Sequence, residues 1–149
     1  MKLFQIEEPD GSPADPGAPG AAVGIDAGGD LAEVAFSVGG NAVMLADREG
    51  YERALPVPGP DAPLADWQAL FEGAKLRAER ALARPVTHAV LVFAAPLDPA
   101  LAAELLRASE AAGVELLRLV ATADLDTAAV PAEAAAVLAE EMAPRPPAL

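Results

Sequence analysis

Cysteine is absent from the 149-residue chain and histidine occurs once. Disulfides, thiolate zinc sites and cysteine-held iron–sulfur clusters are therefore excluded, as is any histidine-rich metal centre. Aromatic residues make up only 4%, so the core must come from aliphatic contacts with few large rings. Basic residues are scarce: Lys and Arg total 10 against 23 Asp and Glu, a formal net charge of −13. That field repels nucleic acid and anionic membranes unless a local basic patch or a metal reverses it. No stretch approaches the roughly 18 apolar residues of a membrane span. The opening MKLFQIEEPDGSP has neither the basic start nor the long apolar run of a secretory signal. These absences predict a soluble, cytoplasmic protein whose partners include neither nucleic acid nor membrane.

The composition that remains is 53% apolar, mostly Ala, Leu and Val, and the length suits one domain. Residues 9–20, rich in Pro and Gly, read as the end of a flexible leader spanning 1–20. A single domain is expected over 21–143, followed by a tail at 144–149. Within the domain, AAVGID reads as a buried strand ending at Asp26, and LAEVAFSV as a half-buried alternating strand. Gly39-Gly40-Asn41 signals a hairpin turn, with AVMLA as the third strand. A short edge strand is expected near Leu55–Val57, since Pro56 and Pro58 bar that stretch from a sheet centre.

Residues 64–83 read as the longest helix, with Trp67, Leu70, Phe71, Ala74, Ala78, Ala81 and Leu82 on one arc. Gly73 weakens it by about 1 kcal/mol relative to Ala. The unbroken apolar run at 88–95 is the mark of a strand covered on both faces, and residues 88–94 are expected at the sheet's centre. Asp98 then caps a helix with Pro99 at its first position, and Gly113 ends it. VELLRLVAT follows as a strand, and Pro131 opens a last helix with Val137, Leu138 and Met142 expected inward. The late strands form a crossover unit and should be parallel. The resulting order, β-β-β-α-β-α-β-α, is that of the α/β ribonuclease-H-like fold, a five-stranded mixed sheet flanked by helices. Nucleases and the actin, sugar-kinase and heat-shock ATPases share this unit, so the order alone does not select a function.

The chemistry concentrates in VGIDAGGD, which supplies Gly24, Asp26, Gly28, Gly29 and Asp30. One reading is a phosphate-holding loop, with an acidic residue where phosphate should be welcomed. Another is a nuclease: Asp26 at a strand end, with Glu72 or Glu79, Asp98 and Asp124 completing a two-metal site. The negative field opposes that, and Glu72 and Glu79 lie off the helix's apolar arc. The plainer readings make Asp26 a strand-end polar residue and Gly28-Gly29 a turn with positive φ. Arg77, Arg80 and Arg84, with Asp66 nearby, read as a solvated helix edge. His88 reads as structural and Trp67 as core.

Residues 22–56, AVGIDAGGDLAEVAFSVGGNAVMLADREGYERALP, resemble the first segment of the DnaK-type heat-shock chaperones. Residues 84–125 resemble that family's later strand–helix–strand segment. The opening MKLFQIEEPDGSPADPGAP is similar to the leader of the HscA branch, which serves iron–sulfur cluster assembly, and NAVMLADREG suits the same branch. The resemblance spans residues 1 to about 127 with a deletion between about Pro58 and Leu64. It implies the first lobe of an actin-like ATPase in which only Gly24, Asp26 and Gly28 retain the family's nucleotide residues. Gly29 and Asp30 stand where the family has phosphate-contacting threonines. Ala121, Thr122, Ala123 and Asp124 replace its Asn-Glu-Pro-Thr, and Ala94, Ala95, Pro96 and Leu97 its Pro-Ala-Tyr-Phe. The lysine-bearing segment falls in the deletion. The expectation is a non-catalytic, HscA-like accessory protein with a vestigial phosphate loop. It implies no cofactor, with ATP and Mg²⁺ bound only if the loop is active and Asp26 the one metal ligand if there is any. A protein partner or a second copy should cover surface that a second lobe covers in the relatives.

Overall fold

The computed structural model describes residues 20–45, 55–59, 61–94, 98–126 and 128–144. The expected leader and tail lie outside them, apart from Gly20 and Pro144. The elements run β1 (Ala21–Ala27), β2 (Glu33–Val38), β3 (Asn41–Leu45), α1 (Leu64–Leu82), β4 (Val86–Phe93), α2 (Pro99–Ala111), β5 (Glu115–Ala121) and α3 (Pro131–Met142), with a 3₁₀ turn at Thr122–Asp124. The five strands form one mixed sheet in the order β3-β2-β1-β4-β5. β1 pairs antiparallel with β2 and β2 with β3, whereas β1–β4 and β4–β5 are parallel. The α/β class, the element order and the mixed sheet are as the sequence predicts. No helix among the described residues is long and apolar enough to cross a membrane.

The central strand is β1, and residues 88–94 occupy the next place, between β1 and β5. An unbroken apolar run reports cover on both faces, and any interior strand of a three-layer fold meets that condition. The run therefore could not rank β4 above β1. Alternation along the strands divides the core in two. Val23, Ile25, Ala27, Ala89 and Leu91 face the larger cluster with Trp67, Leu70, Phe71, Leu101 and Leu105 of α1 and α2. Ala22, Val90 and Val92 face Ala135 and Ala139 of α3 on the other side.

The inner face of α3 is alanine, not the Val137, Leu138 and Met142 that the sequence suggests. Ala132, Ala135, Ala136 and Ala139 are buried, Val137 and Leu138 are half-buried, and Met142 is 41% exposed. The reason is closeness. A Cβ on Gly24 of β1 would collide with the backbone nitrogen of Ala136 and lie 2.5 Å from the carbonyl oxygen of Ala132. A helix seated that near a sheet accepts only small side chains beneath it.

Near Leu55–Val57 the expected strand is reduced to a single antiparallel bridge, Leu31 to Pro56. The Ala32 N–H donates to the Leu55 carbonyl at 2.7 Å and the Val57 N–H to that of Asp30 at 2.9 Å. Pro56 and Pro58 have no N–H to extend the ladder. Leu55 instead packs over Gly73 of α1, where a Cβ would meet the leucine side chain at 2.6 Å. The glycine that weakens the helix thus makes room for a buried leucine.

Candidate functional site

The carboxyl ends of the parallel strands gather the loop after β1, the end of β4 and the start of the 3₁₀ turn after β5. Open α/β sheets bind ligands at this rim. Asp26, the one residue of β1 that is half-buried and not fully buried, lies in register with Val92 of β4 and Glu33 of β2. Its Oδ1 accepts the Gly28 N–H at 2.8 Å, so the carboxylate is folded onto its own loop. Thr122 donates its hydroxyl to the Phe93 carbonyl at 3.1 Å, tying β5's end to β4's. Gly28 sits between these groups: a Cβ there would lie 3.0 Å from Asp26 Oδ1 and 3.1 Å from Thr122 Oγ1.

The glycine pair does not supply positive φ, contrary to the turn reading. Among the described residues only Gly39, Gly40 and Gly113, and the non-glycine Ala83, have φ in that region. Gly28 is small because it is crowded, while Gly29 has open space around it. Gly29 and Asp30 are both exposed. Gly24 belongs to the packing of α3 and lies inside the sheet, away from the loop.

The nuclease set is not assembled. Among the described residues no three His, Asp or Glu side chains are grouped so as to hold a metal ion. Glu79 lies at the opposite rim, where it accepts from Lys75 Nζ at 2.8 Å and from the Val86 N–H at 3.0 Å. Glu72 is exposed and meets Gln68 Nε2 at 3.4 Å. Asp124 is exposed in the 3₁₀ turn. Asp98 caps α2 as expected, its Oδ1 accepting the Leu101 N–H at 2.8 Å. With Asp61 and Glu104 it lines an open cleft of about 350 Å³ whose carboxylates disfavour an anionic ligand.

Phosphate chemistry fits this rim poorly. A nucleotide loop offers free backbone N–H groups and a cation to the phosphates. Here the Gly28 donor is taken by a carboxylate, and Asp30 adds a second acid beside it. Lys75, the lone lysine among the described residues, also donates to the Val86 carbonyl at 2.7 Å, at the far rim.

Trp67 is fully buried, as the core reading requires, with its ring 6.0 Å from that of Phe93 and tilted 51°. Its Nε1 is buried without a hydrogen-bond partner. The arginine edge is only partly solvated: Arg80 and Arg84 are exposed, whereas Arg77 is 8% exposed on the inner side of α1. Its burial extends to the guanidinium, whose Nε is inaccessible to solvent. His88 is held structurally, with Nδ1 2.7 Å from Thr87 Oγ1, which in turn accepts the Gly20 N–H at 2.8 Å.

Two groups escaped the sequence reading. Thr122 figures there only as a departure from a family motif, although it joins the ends of β4 and β5. Glu140 of α3 does not figure at all. Its carboxylate accepts the Ser37 hydroxyl at 2.8 Å and the N–H groups of Gly39 and Gly40 at 2.6 and 2.9 Å. Both partnerships cross long stretches of chain and leave no local signature. No protein-family model matches this chain, and no curated protein aligns with it significantly.

Proposed function

We propose that this chain is a ribonuclease-H-like relative of the DnaK-type chaperones, nearest their HscA branch. In this reading its nucleotide loop has lost its chemistry, and the protein acts by contact as a non-catalytic accessory factor, with iron–sulfur cluster assembly as its setting. The element order and the mixed sheet, antiparallel on one side of β1 and parallel on the other, support the fold assignment. The opening residues support the HscA branch. The observation that carries the loss of catalysis is the Asp26 carboxylate bound to the Gly28 N–H, with Asp30 where a phosphate-binding hydroxyl is needed. Each charge-assisted contact that a phosphate loses here is worth about 1.5–3 kcal/mol. Several such losses move affinity out of the useful range.

Calorimetric titration with Mg-ATP tests this directly. No heat of binding is expected at millimolar nucleotide. A micromolar Kd that Asp26→Ala abolishes overturns the proposal, because it shows a working nucleotide loop.

A further inference from the structure

The helices cover the β2–β3 hairpin unequally. On the face toward α1 and α2, the opposed pair Val34 and Leu45 belongs to the large core. Nearer the turn that cover runs out. Phe36 is half-buried against the core, Val43 opposite it is 57% exposed, and Val38 is 63% exposed. These three side chains share one face, because residues two apart on a strand, and residues opposed across a pair, point the same way. The reverse face is closed by α3, whose Ala132 and Ala136 cluster with Ala35 and Ala42.

The place of this face selects its occupant. β1 pairs with β2 through Gly24–Ala35 and Asp26–Glu33, and the same register carried on brings Ala21 level with Val38. Ala21 also lies on the side of the large core. The chain enters β1 at that point and is held there, the Gly20 N–H donating to Thr87 Oγ1 and the Ala21 N–H to the Pro85 carbonyl, both at 2.8 Å. The sequence before Gly20 therefore meets the fold one strand, about 5 Å, from Val38. It contains Leu3, Phe4 and Ile6 close together, and thirteen residues separate Ile6 from Gly20. Thirteen residues reach up to about 45 Å, far more than the distance to be crossed. The sequence after β3 is a poorer candidate. It leaves from Leu45 and returns at Leu55, beside the Leu31–Pro56 bridge, so both its ends are away from the turn. It carries Asp47, Arg48, Glu49, Glu52 and Arg53, with Tyr51 its one large apolar residue.

We infer that the opening segment of the chain is the occupant: Leu3, Phe4 and Ile6 close over Phe36, Val38 and Val43. Three side chains against three make a weak contact between separate molecules. A tether changes that, because it holds the two groups at an effective concentration in the millimolar range. Charge agrees with the assignment. Residues 1–6 carry Lys2 and no acid, so the field of a molecule at −13 favours their approach, and Glu7 and Glu8 fall on the tether side. A second copy gains no tether and brings its own −13. The face is then occupied by the protein itself, and any partner of it must first displace the segment. This contact goes beyond the functional reading and does not depend on the state of the nucleotide loop.

The absence of native cysteine makes the contact directly testable on the full chain. Phe4→Cys combined with Val38→Cys should form a disulfide within one chain under mild oxidant at low micromolar concentration. Its rate should exceed at least tenfold that of Phe4→Cys combined with Leu106→Cys, an exposed site on α2. Adding Leu3→Ser and Ile6→Ser to the first pair should bring the two rates together. Equal rates at the outset overturn the inference. So does a fast pair indifferent to the serines, since the tether alone then explains it. Cross-links that double the mass overturn it by giving the face to a second copy. Faster closure of Tyr51→Cys with Val38→Cys overturns it by giving the face to the sequence after β3. A second measurement needs no cysteine: the methyl resonances of Val38 and Val43 should shift in Phe4→Ser while those of Leu106 stay. If the two valines are unmoved, the segment does not cover them. Mg-ATP binding by this chain would sink the functional reading and leave the contact standing.

Discussion

Gly24 and Gly29 lie five positions apart in one glycine-rich segment, and the structure asks opposite things of them. Gly24 is pressed beneath α3, where a side chain would strike backbone that cannot move without displacing the helix. Gly29 has nothing within 4 Å and no positive φ. Gly24→Ala is therefore expected to destabilise the protein by about 3 kcal/mol or more, at the upper end for overpacking. Gly29→Ala should be neutral or stabilise by about 0.4–1 kcal/mol, because alanine narrows the unfolded ensemble without strain. Urea unfolding of the two variants checks the pair, and equal midpoints would refute the packing account. Asp26 shows the same contrast between sequence and environment. Its strand-end place is legible from AVGID, but the turn of its carboxylate onto Gly28 is visible only in three dimensions.

Strands and helices were legible wherever the apolar pattern was strong. The alternation in β2, the apolar run of β4, the Asp98-Pro99 start of α2 and the arc of α1 all predict their elements. The packing of α3 was hidden because alanine carries little hydrophobic signal, whereas Val137, Leu138 and Met142 suggest another face. What orients α3 is Gly24, more than a hundred residues earlier, and no local pattern can report that partnership. Glu140 is the second such link. Gly39 and Gly40 take φ of 60° and 84° in the β2–β3 turn, and their N–H groups converge on the Glu140 carboxylate. A carboxylate in a helix's last turn is otherwise disfavoured by the helix dipole, and the hairpin donors offset this. Glu140→Gln replaces one accepting oxygen by a donor that opposes the glycine N–H groups. Because those bonds are exposed, water takes part of the load, and the expected cost is about 1–2 kcal/mol. Amide exchange at Gly39 and Gly40 should accelerate more than elsewhere. The exposed neighbour Glu141, changed to Gln, should alter stability by less than about 0.5 kcal/mol. If both variants behave alike, the latch between α3 and the hairpin is not a stabilising contact.

The two faces of the sheet are held by different means, large apolar side chains under α1 and α2 and close alanine contact under α3. Neither relies on charge, yet charge sets how the assembled protein answers to its solvent. With 23 acidic against 10 basic residues, folding concentrates like charge that the unfolded chain spreads out. Two attractive pairs among the described residues are minor. Lys75–Glu79 at 2.8 Å is a partly exposed i,i+4 pair, worth about 0.3–0.5 kcal/mol. His88–Glu115 at 3.6 Å involves a largely exposed glutamate and a histidine that pairs only when protonated. Salt weakens both kinds of interaction, and the repulsion involves many more groups. The Debye length falls from about 30 Å at 0.01 M to about 3 Å at 1 M, so added salt removes mostly repulsion. Raising NaCl through that range should increase Tm by several degrees, measured by scanning calorimetry at fixed pH and protein concentration. A Tm that falls as NaCl rises would mean that specific ion pairs outweigh the net charge, contrary to the weak pairs described here.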